Sequence, residues 1–382
     1  MKKLIYLLAL SAMFVGCKDS NSKKQATCGD SGKEKSEIVE IIKKVNGKWQ
    51  AEHAPDQANA FWHPAAYHTG NMAAYKVTGL EEYKNYSEAW AEHNEWKGAK
   101  SDDKAKWKYS YGEKDDYVLF GDWQICFQVY TDLYKLDPED YKIARAREVM
   151  EYQMSTPQND YWWWVDGLYM VMPVMTRLYT ITENPLYLEK LYEYFAYARD
   201  LMYDEESALF FRDAKYIYPE HKTNSGLKDF WARGNGWIFA AIPRVLEDLP
   251  ENDPHRGEYI QIYKDLAKSI AASQQEEGYW TRSMLDPEQA PGPETSGTAF
   301  FTYGFLWGIN NGFLEESVYM PVVNKSWRYL TEVALQPDGT LGYVQPIGER
   351  AIPGQQIDAN STSDFGVGAF LLAASEMLNC LK

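Results

Sequence analysis

The chain of 382 residues is poor in the residues that build metal centres and disulfide frameworks, with only four cysteines and six histidines. The cysteines lack metal-type spacing, and the histidines form no H-x-x-E-H or similar ligand pattern. We therefore expect no metal, no organic cofactor and no disulfide framework. This excludes zinc-dependent and disulfide-scaffold classes of protein.

A basic surface is also lacking. Lysine and arginine number 39 against 55 aspartate and glutamate, which gives a net charge of −16. The field of such a molecule repels polyanions, so nucleic-acid binding is excluded. A small anionic substrate is compatible with this charge only if one or two arginines are concentrated in a pocket.

Long hydrophobic runs are absent apart from one at the N-terminus, residues 4–15, which follows two lysines and is too short to span a bilayer. With the Phe-Val-Gly-Cys segment that ends at Cys17, it resembles a bacterial lipoprotein signal. We expect residues 1–16 to be removed and Cys17 to carry lipid. Residues 17–35 are polar and are predicted to form a flexible tether. The chain is thus predicted to be an exported lipoprotein, periplasmic or anchored at the outer membrane or cell surface, with lipid as its only membrane contact.

Convincing alternating strands are missing as well, and from residue 36 onward apolar residues recur at three-and-four spacing between Gly, Pro and Asn breaks. The predicted helices come in pairs, and recurring links begin at Tyr75, Tyr134 and Tyr179. Their unequal separation does not fit a solenoid of period about 34 residues. If the opening helix pairs with the final one, six hairpins result. We predict that residues 36–382 form one all-α domain, a six-hairpin (α/α)6 barrel.

Aromatic residues are abundant, at 15% of the chain, which fits either sugar-stacking surfaces or an aromatic core. They concentrate at predicted starts of inner helices, together with acids and glycines. These segments are Gly121-Asp-Trp-Gln, Trp162-Trp-Trp-Val-Asp-Gly-Leu-Tyr-Met, Trp231-Ala-Arg-Gly-Asn-Gly-Trp and Glu294-Thr-Ser-Gly-Thr-Ala. Because inner helices of such a barrel begin at one rim, we expect these segments to meet at a common cleft.

In this order, the last three of these segments resemble the unsaturated glycuronyl hydrolases, especially the unsaturated rhamnogalacturonyl hydrolase branch (glycoside hydrolase families 88 and 105). The resemblance covers roughly residues 36–382 and implies the same barrel. It also implies that Asp166 is the general acid and base. A carboxyl group flanked by Trp164 and Tyr169 suits that role, because desolvation raises its pKa. The structural alternative for Asp166 is a buried helix cap.

The other candidate site residues carry less specific signals. Asp122 is the candidate second acid, although Trp123 follows it where the family usually has adjacent acids. Arg233 is predicted to bind a sugar carboxylate through its bidentate fork, between the stacking faces of Trp231 and Trp237. The alternative for Arg233 is a cation packed on tryptophan in a helix-capping turn. Two further residues are candidates for substrate binding. Arg212 stands where relatives often have a histidine, and Trp163 could stack on a sugar, with a place in the aromatic core as the alternative.

The resemblance implies that the protein removes a terminal Δ4,5-unsaturated uronic acid from oligosaccharides that a lyase has produced. We expect these oligosaccharides to be of the rhamnogalacturonan or pectin type. In the family's mechanism the acid protonates C4, water adds at C5, and the ring opens. Two alternatives remain from the sequence. One is an ordinary (α/α)6 glycosidase that attacks the anomeric carbon with Asp122 and Asp166. The other is a non-catalytic glycan-binding surface lipoprotein, which the unequal hairpin spacing disfavours.

Overall fold

The structure is a computed structural model that describes residues 32–381, and within them it contains twelve α-helices. They are α1 (Gly32–Glu52), α2 (Trp62–Thr78), α3 (Glu81–His93), α4 (Cys126–Leu136), α5 (Tyr141–Met154), α6 (Val165–Thr182), α7 (Leu186–Met202), α8 (Ala232–Asp248), α9 (Arg256–Ala272), α10 (Thr295–Asn310), α11 (Glu316–Tyr329) and α12 (Asp364–Cys380).

The even-numbered helices form a closed inner ring. Each of α2, α4, α6, α8, α10 and α12 packs on the next, and α12 returns to pack on α2. The odd-numbered helices α3, α5, α7, α9 and α11 each pack outside the inner helix that precedes them in sequence, and α1 packs outside α12. The six hairpins, including the pairing of the first helix with the last, confirm the predicted (α/α)6 barrel.

Burial follows from the apolar content of each helix. Residues 165–178 of α6, 232–246 of α8 and 295–308 of α10 are buried without interruption, as expected for helices surrounded by other elements on all sides. The outer helix α3 buries only Tyr83, Ser87, Trp90 and Ala91, which lie at three-and-four spacing. The sequence therefore separates inner from outer helices by whether apolar residues surround the helix or follow one stripe.

Two glycines allow the ring to close between α2 and α12. A Cβ atom on Gly70 would lie 2.1 Å from the carbonyl oxygen of Gly368, and a Cβ on Gly368 would lie 2.3 Å from the carbonyl oxygen of Ala66. Both distances are far inside van der Waals contact. Only glycine at these positions lets the two helix backbones approach so closely.

The structure corrects several details. Helix α1 begins at Gly32, before the predicted start of the helical pattern at residue 36, and residues 121–123 form a separate 3-10 turn that precedes α4. Two short antiparallel strands, β1 (Tyr203–Asp204) and β2 (Leu209–Phe210), interrupt the helical pattern. Cys380 is disulfide-bonded, whereas the buried Cys126 is a free thiol. No helix within residues 32–381 has the length and apolar character needed to cross a membrane. The predicted signal at residues 1–16 and the lipid site at Cys17 lie outside the described residues.

Candidate active site

A cavity of about 680 Å³ opens at the rim where the inner helices begin; we call it the rim cavity. Its walls come from the starts of α2 and α6, from the segments that precede α2 and α4, and from two long loops. The lining residues are Asn59, Phe61, Trp62, His63, Tyr111, Glu113, Asp122, Trp123, Trp163, Trp164, Asp166, Met170, Arg212, Lys215, Ile347, Gly348 and Glu349. Of the sequence-predicted residues, the structure brings Asp122, Asp166, Arg212 and Trp163 together here.

Asp166 lies in the first turn of α6, where the backbone pairs with a neighbouring loop. The amide of Val165 donates a hydrogen bond to the carbonyl oxygen of Arg212 at 2.8 Å, and Trp164 forms a β-bridge with Asp213. This pairing holds Arg212 beside the helix start. As a result Arg212 Nε donates to Asp166 Oδ2 at 3.3 Å.

The two acids of the rim cavity are both almost fully buried, with 8% of Asp166 and 6% of Asp122 exposed. Burial raises the pKa of Asp166, while the cations Arg212 and Arg233 oppose that rise. Burial raises the pKa of Asp122 further, and the nearby Asp166 carboxylate adds to the effect. Each of the two carboxyls therefore retains its proton to a higher pH than an ordinary aspartate does.

A chain of charges runs from the acids to the cavity mouth. Arg212 Nη1 donates to Asp213 Oδ2 at 2.6 Å and lies 3.4 Å from Glu349 Oε2. Lys215 Nζ donates to the same Glu349 oxygen at 2.8 Å. Glu349 belongs to the loop between α11 and α12 (residues 335–363). Its carboxylate thus contacts both Arg212 and Lys215, and all three residues line the rim cavity.

The Trp231 to Trp237 segment lies behind the cavity wall instead of lining it. Arg233 is only 1% exposed, and it donates to the carbonyl oxygens of Gln345 and Pro346 at 2.7 and 2.9 Å. Its guanidinium carbon lies 4.5 Å from the centre of the Trp231 ring. This geometry matches the alternative reading of a cation packed on tryptophan. The carboxylate-clamp role of Arg233 and the sugar-stacking roles of Trp231 and Trp237 stay predictions.

Glu294 explains why the loop between α11 and α12 has a fixed position. Its buried carboxylate caps α10 by accepting hydrogen bonds from the amides of Ser296 and Gly297 at 3.0 and 2.7 Å. It also accepts one from the amide of Gln345 at 3.0 Å. Together with Arg233, this carboxylate ties the loop to the inner helices, so that Glu349 reaches the rim cavity.

An acid–histidine pair that no sequence motif had indicated contributes one residue, His63, to the lining of the rim cavity. His63, in the first turn of α2, shares a hydrogen bond of 2.6 Å between its Nδ1 and Oδ2 of Asp364, in the first turn of α12. The rule that inner-helix starts meet at one rim could have identified both residues. Glu349 and Tyr111, by contrast, lie on long loops and carry no sequence signal.

Within the described residues, no group of three or more His, Cys, Asp and Glu side chains is arranged to hold a metal ion. The polar groups that line the rim cavity include the two buried acids, His63 and the cations Arg212 and Lys215. Such a set can donate and recover a proton beside a bound anion.

A closed ring of six helical hairpins with paired buried acids at one rim defines an (α/α)6-barrel glycosidase. Comparison with known proteins specifies the family: the chain belongs to glycosyl hydrolase family 88, whose sequence profile matches residues 35–381. This membership confirms the resemblance read from the three motifs.

Two curated relatives and two solved structures illustrate the similarity. An unsaturated 3S-rhamnoglycuronyl hydrolase of Formosa agariphila is 32% identical over 87% of this chain and 88% of its own length. One of the same name from an Alteromonas species is 42% identical over 57% of this chain, a match that spans about half of the Alteromonas protein.

The two solved structures are closer in sequence. A family 88 glycosyl hydrolase from Bacteroides vulgatus is 61% identical with a TM-score of 0.89, and covers 91% of this chain and 99% of its own. Another, described as a polysaccharide lyase, is 69% identical with a TM-score of 0.88, and covers 90% of this chain and 97% of its own.

Proposed function

We propose that this protein removes a terminal Δ4,5-unsaturated uronic acid from oligosaccharides that a polysaccharide lyase has released. The substrate class follows from the names of the two curated relatives, which are unsaturated rhamnoglycuronyl hydrolases. We favour an uronic acid attached to rhamnose in a polysaccharide of rhamnogalacturonan type or a related kind.

One observation carries the proposal: a buried acid pair with raised pKa values lies beside a cation that can hold a carboxylate. The Δ4,5-unsaturated uronic acid has its carboxylate on C5, one bond from C4, the atom that must receive a proton. Arg212 Nε lies 3.3 Å from Asp166 Oδ2. A substrate carboxylate that displaced Glu349 from Arg212 would therefore bring C4 close to the Asp166 proton.

In the proposed mechanism, protonated Asp166 transfers its proton to C4, and positive charge develops at C5 and the ring oxygen. The Asp166 carboxylate then takes a proton from a water molecule while the oxygen of that water bonds to C5. The resulting hemiketal opens to a C5 ketone, and the C1 hemiacetal collapses and expels the remaining sugar as an alcohol. Asp122 remains protonated throughout and donates a hydrogen bond within the site.

The experiment follows ultraviolet absorbance with two kinds of substrate. The conjugated C=C–COO⁻ unit absorbs, so a hydrolase of this class lowers the absorbance of an unsaturated disaccharide. The 69% identical structure is described as a polysaccharide lyase. A lyase would instead raise the absorbance of a saturated uronic-acid polymer, because it creates the conjugated unit.

Asp166→Asn should lower the rate by at least about a hundredfold, because the amide is nearly isosteric but cannot deliver a proton. Unaltered circular dichroism would show that the variant is folded. A rise in absorbance with saturated polymer, or cleavage of a saturated uronoside, would refute the proposal.

We also propose that the enzyme is an exported lipoprotein with a signal at residues 1–16, lipid on Cys17, a tether to residue 35 and a barrel over residues 36–382. The support is the sequence pattern alone: basic residues, a short apolar run and the Phe-Val-Gly-Cys segment. The tether would let the rim cavity face soluble oligosaccharides close to the membrane.

A further inference from the structure

A second cavity, of about 650 Å³, adjoins the rim cavity, and both are lined by Tyr111 and Trp163. We call it the aromatic groove. The rest of its lining comes from one short segment of the long loop between α3 and α4: Trp107, Lys108, Tyr109 and Ser110. Four of its six lining residues are thus aromatic.

Backbone and side-chain hydrogen bonds hold this segment in place. The Trp107 indole donates to the carbonyl oxygen of Ser101 at 2.9 Å, and the Trp163 indole approaches the carbonyl oxygen of Tyr109 at 3.5 Å. The amide of Leu119 donates to the carbonyl oxygen of Lys108 at 3.0 Å. The aromatic rings therefore have fixed positions before any ligand arrives, which lowers the entropic cost of binding.

Tyr111 connects the groove to the acid pair. It is 61% exposed, the largest exposed fraction among the large apolar and aromatic side chains described. Its hydroxyl group donates to Glu113 Oε1 at 2.9 Å, and Glu113 lines the rim cavity near Asp122. Burial in a core does not explain an aromatic ring that is held in place and yet faces solvent.

Charge indicates what the groove can bind. Lys108 is its only ionisable residue apart from the tyrosines, and its ammonium group is 2.5 Å from Asp116 Oδ2. No free cation is thus left among the lining residues to hold an anion. Sugar rings have apolar faces of C–H groups that stack on aromatic rings, so this surface can hold a sugar by ring stacking and not by an ion pair.

Another cavity adjoins the rim cavity at His63 and Ile347 and offers an alternative path for a long substrate. Its lining includes Lys48 and Glu52, which pair with each other, and Asp364, which shares a hydrogen bond with His63. With Trp49 as its only tryptophan and no tyrosine, it offers less stacking surface than the aromatic groove. A further cavity, of only about 260 Å³, adjoins the rim cavity at Asn59 and His63.

We propose that the aromatic groove binds the sugars that follow the unsaturated uronic acid in the oligosaccharide. This inference rests on the proposed function, which places the unsaturated end at Asp166 in the rim cavity. The enzyme would then bind longer oligosaccharides more tightly than disaccharides, with the stacking energy supplied by Tyr111 and Tyr109.

The test measures binding of an unsaturated disaccharide and of the tetrasaccharide with the same end, both from one lyase digest. Calorimetric titration of the inactive Asp166→Asn protein gives the ratio of the two affinities without turnover. Adding Tyr111→Ala should lower the preference for the tetrasaccharide by about two- to tenfold, as expected for loss of one stacking ring. Tyr109→Ala, at a residue that lines only the groove, should lower it in the same direction.

Two matched controls separate stacking from other effects. Tyr111→Phe keeps the ring and loses only the hydrogen bond to Glu113, so the length preference should persist. Tyr141→Ala removes a tyrosine that is 53% exposed on α5 and lines neither cavity, so it should change nothing.

An unchanged length preference in both Tyr111→Ala and Tyr109→Ala would overturn the inference, and so would loss of that preference in Ile347→Ser alone. Failure of the proposed function has a different signature: the active enzyme would leave the absorbance of both unsaturated substrates unchanged.

Discussion

Replacing Arg212 with glutamine should move the pH dependence of catalysis toward higher pH. Arg212 favours the charged form of Asp166, and so lowers the pKa of that carboxyl against the effect of burial. Without the guanidinium, Asp166 retains its proton to a higher pH. Since the protonated form is the proton donor, the basic limb of the pH–rate profile moves up.

The distance sets the magnitude. At 3.3 Å between Arg212 Nε and Asp166 Oδ2, Coulomb's law gives about 1.3 kcal/mol with the dielectric constant of water and about 5 kcal/mol at an effective value of 20. One pKa unit corresponds to about 1.4 kcal/mol. Asp213 and Glu349 also neutralise Arg212, which reduces its effect on Asp166. We therefore expect the basic limb to move to higher pH, by less than the full attraction would give.

The assay is kcat and kcat/KM against pH, followed by loss of absorbance of an unsaturated disaccharide. Overall kcat/KM should fall as well, because the substrate carboxylate loses its partner. Lys215→Gln is the control: this side chain bonds Glu349, not Asp166, so its basic limb should move much less. If the limb of Arg212→Gln stays in place or moves to lower pH, Asp166 is not the titrating acid.

The remaining substitutions probe separate parts of the molecule. Asp122→Asn should retain more activity than Asp122→Ala or Asp166→Asn, since an amide resembles the protonated carboxyl; equal losses in steady-state rate for the two asparagine variants would make Asp122 a proton donor. Arg233→Lys should lower the free energy of unfolding in urea by about 1.5–3 kcal/mol, because an ammonium group cannot satisfy both backbone carbonyls; unchanged stability with a raised KM would instead support the carboxylate clamp. Gly368→Val should lower the melting temperature, with a cost of at least about 1–3 kcal/mol from overpacking, and an unaltered transition would contradict the close helix contact. Cys17→Ser should release the processed protein from membranes in cell fractionation, and continued membrane association would reject lipid anchoring.

The barrel could be predicted from the sequence because its signals are local and repeated. Inner helices such as α6 and α10 are mostly apolar around their whole circumference, an outer helix such as α3 has one apolar stripe, and Gly, Pro or Asn breaks separate the helices. The position of Asp166 in the first turn of α6 followed from the same logic. Non-helical details such as the strands β1 and β2 were missed because they are only two residues long.

The rest of the site depends on contacts between residues far apart in the chain. Arg233 resembles a clamp in its own segment, but its partners are the carbonyl oxygens of Gln345 and Pro346, more than a hundred residues away. Glu349 reaches Arg212 because Glu294 and Arg233 hold the loop between α11 and α12 in place. Local patterns identify which residues are unusual, whereas the fold decides which of them face the cavity.

The glycine contact between α2 and α12 has a consequence for synthesis. The ring closes only when the last helix packs on the first inner helix, so a nascent chain that lacks residues 364–382 has an open barrel with an uncovered apolar flank on α2. Such an incomplete chain cannot reach the native state, and it exposes the kind of surface that chaperones bind. Closure of the barrel is therefore a late event in synthesis. Deletion of the final helix alone should prevent the whole domain from folding and not merely remove one local element.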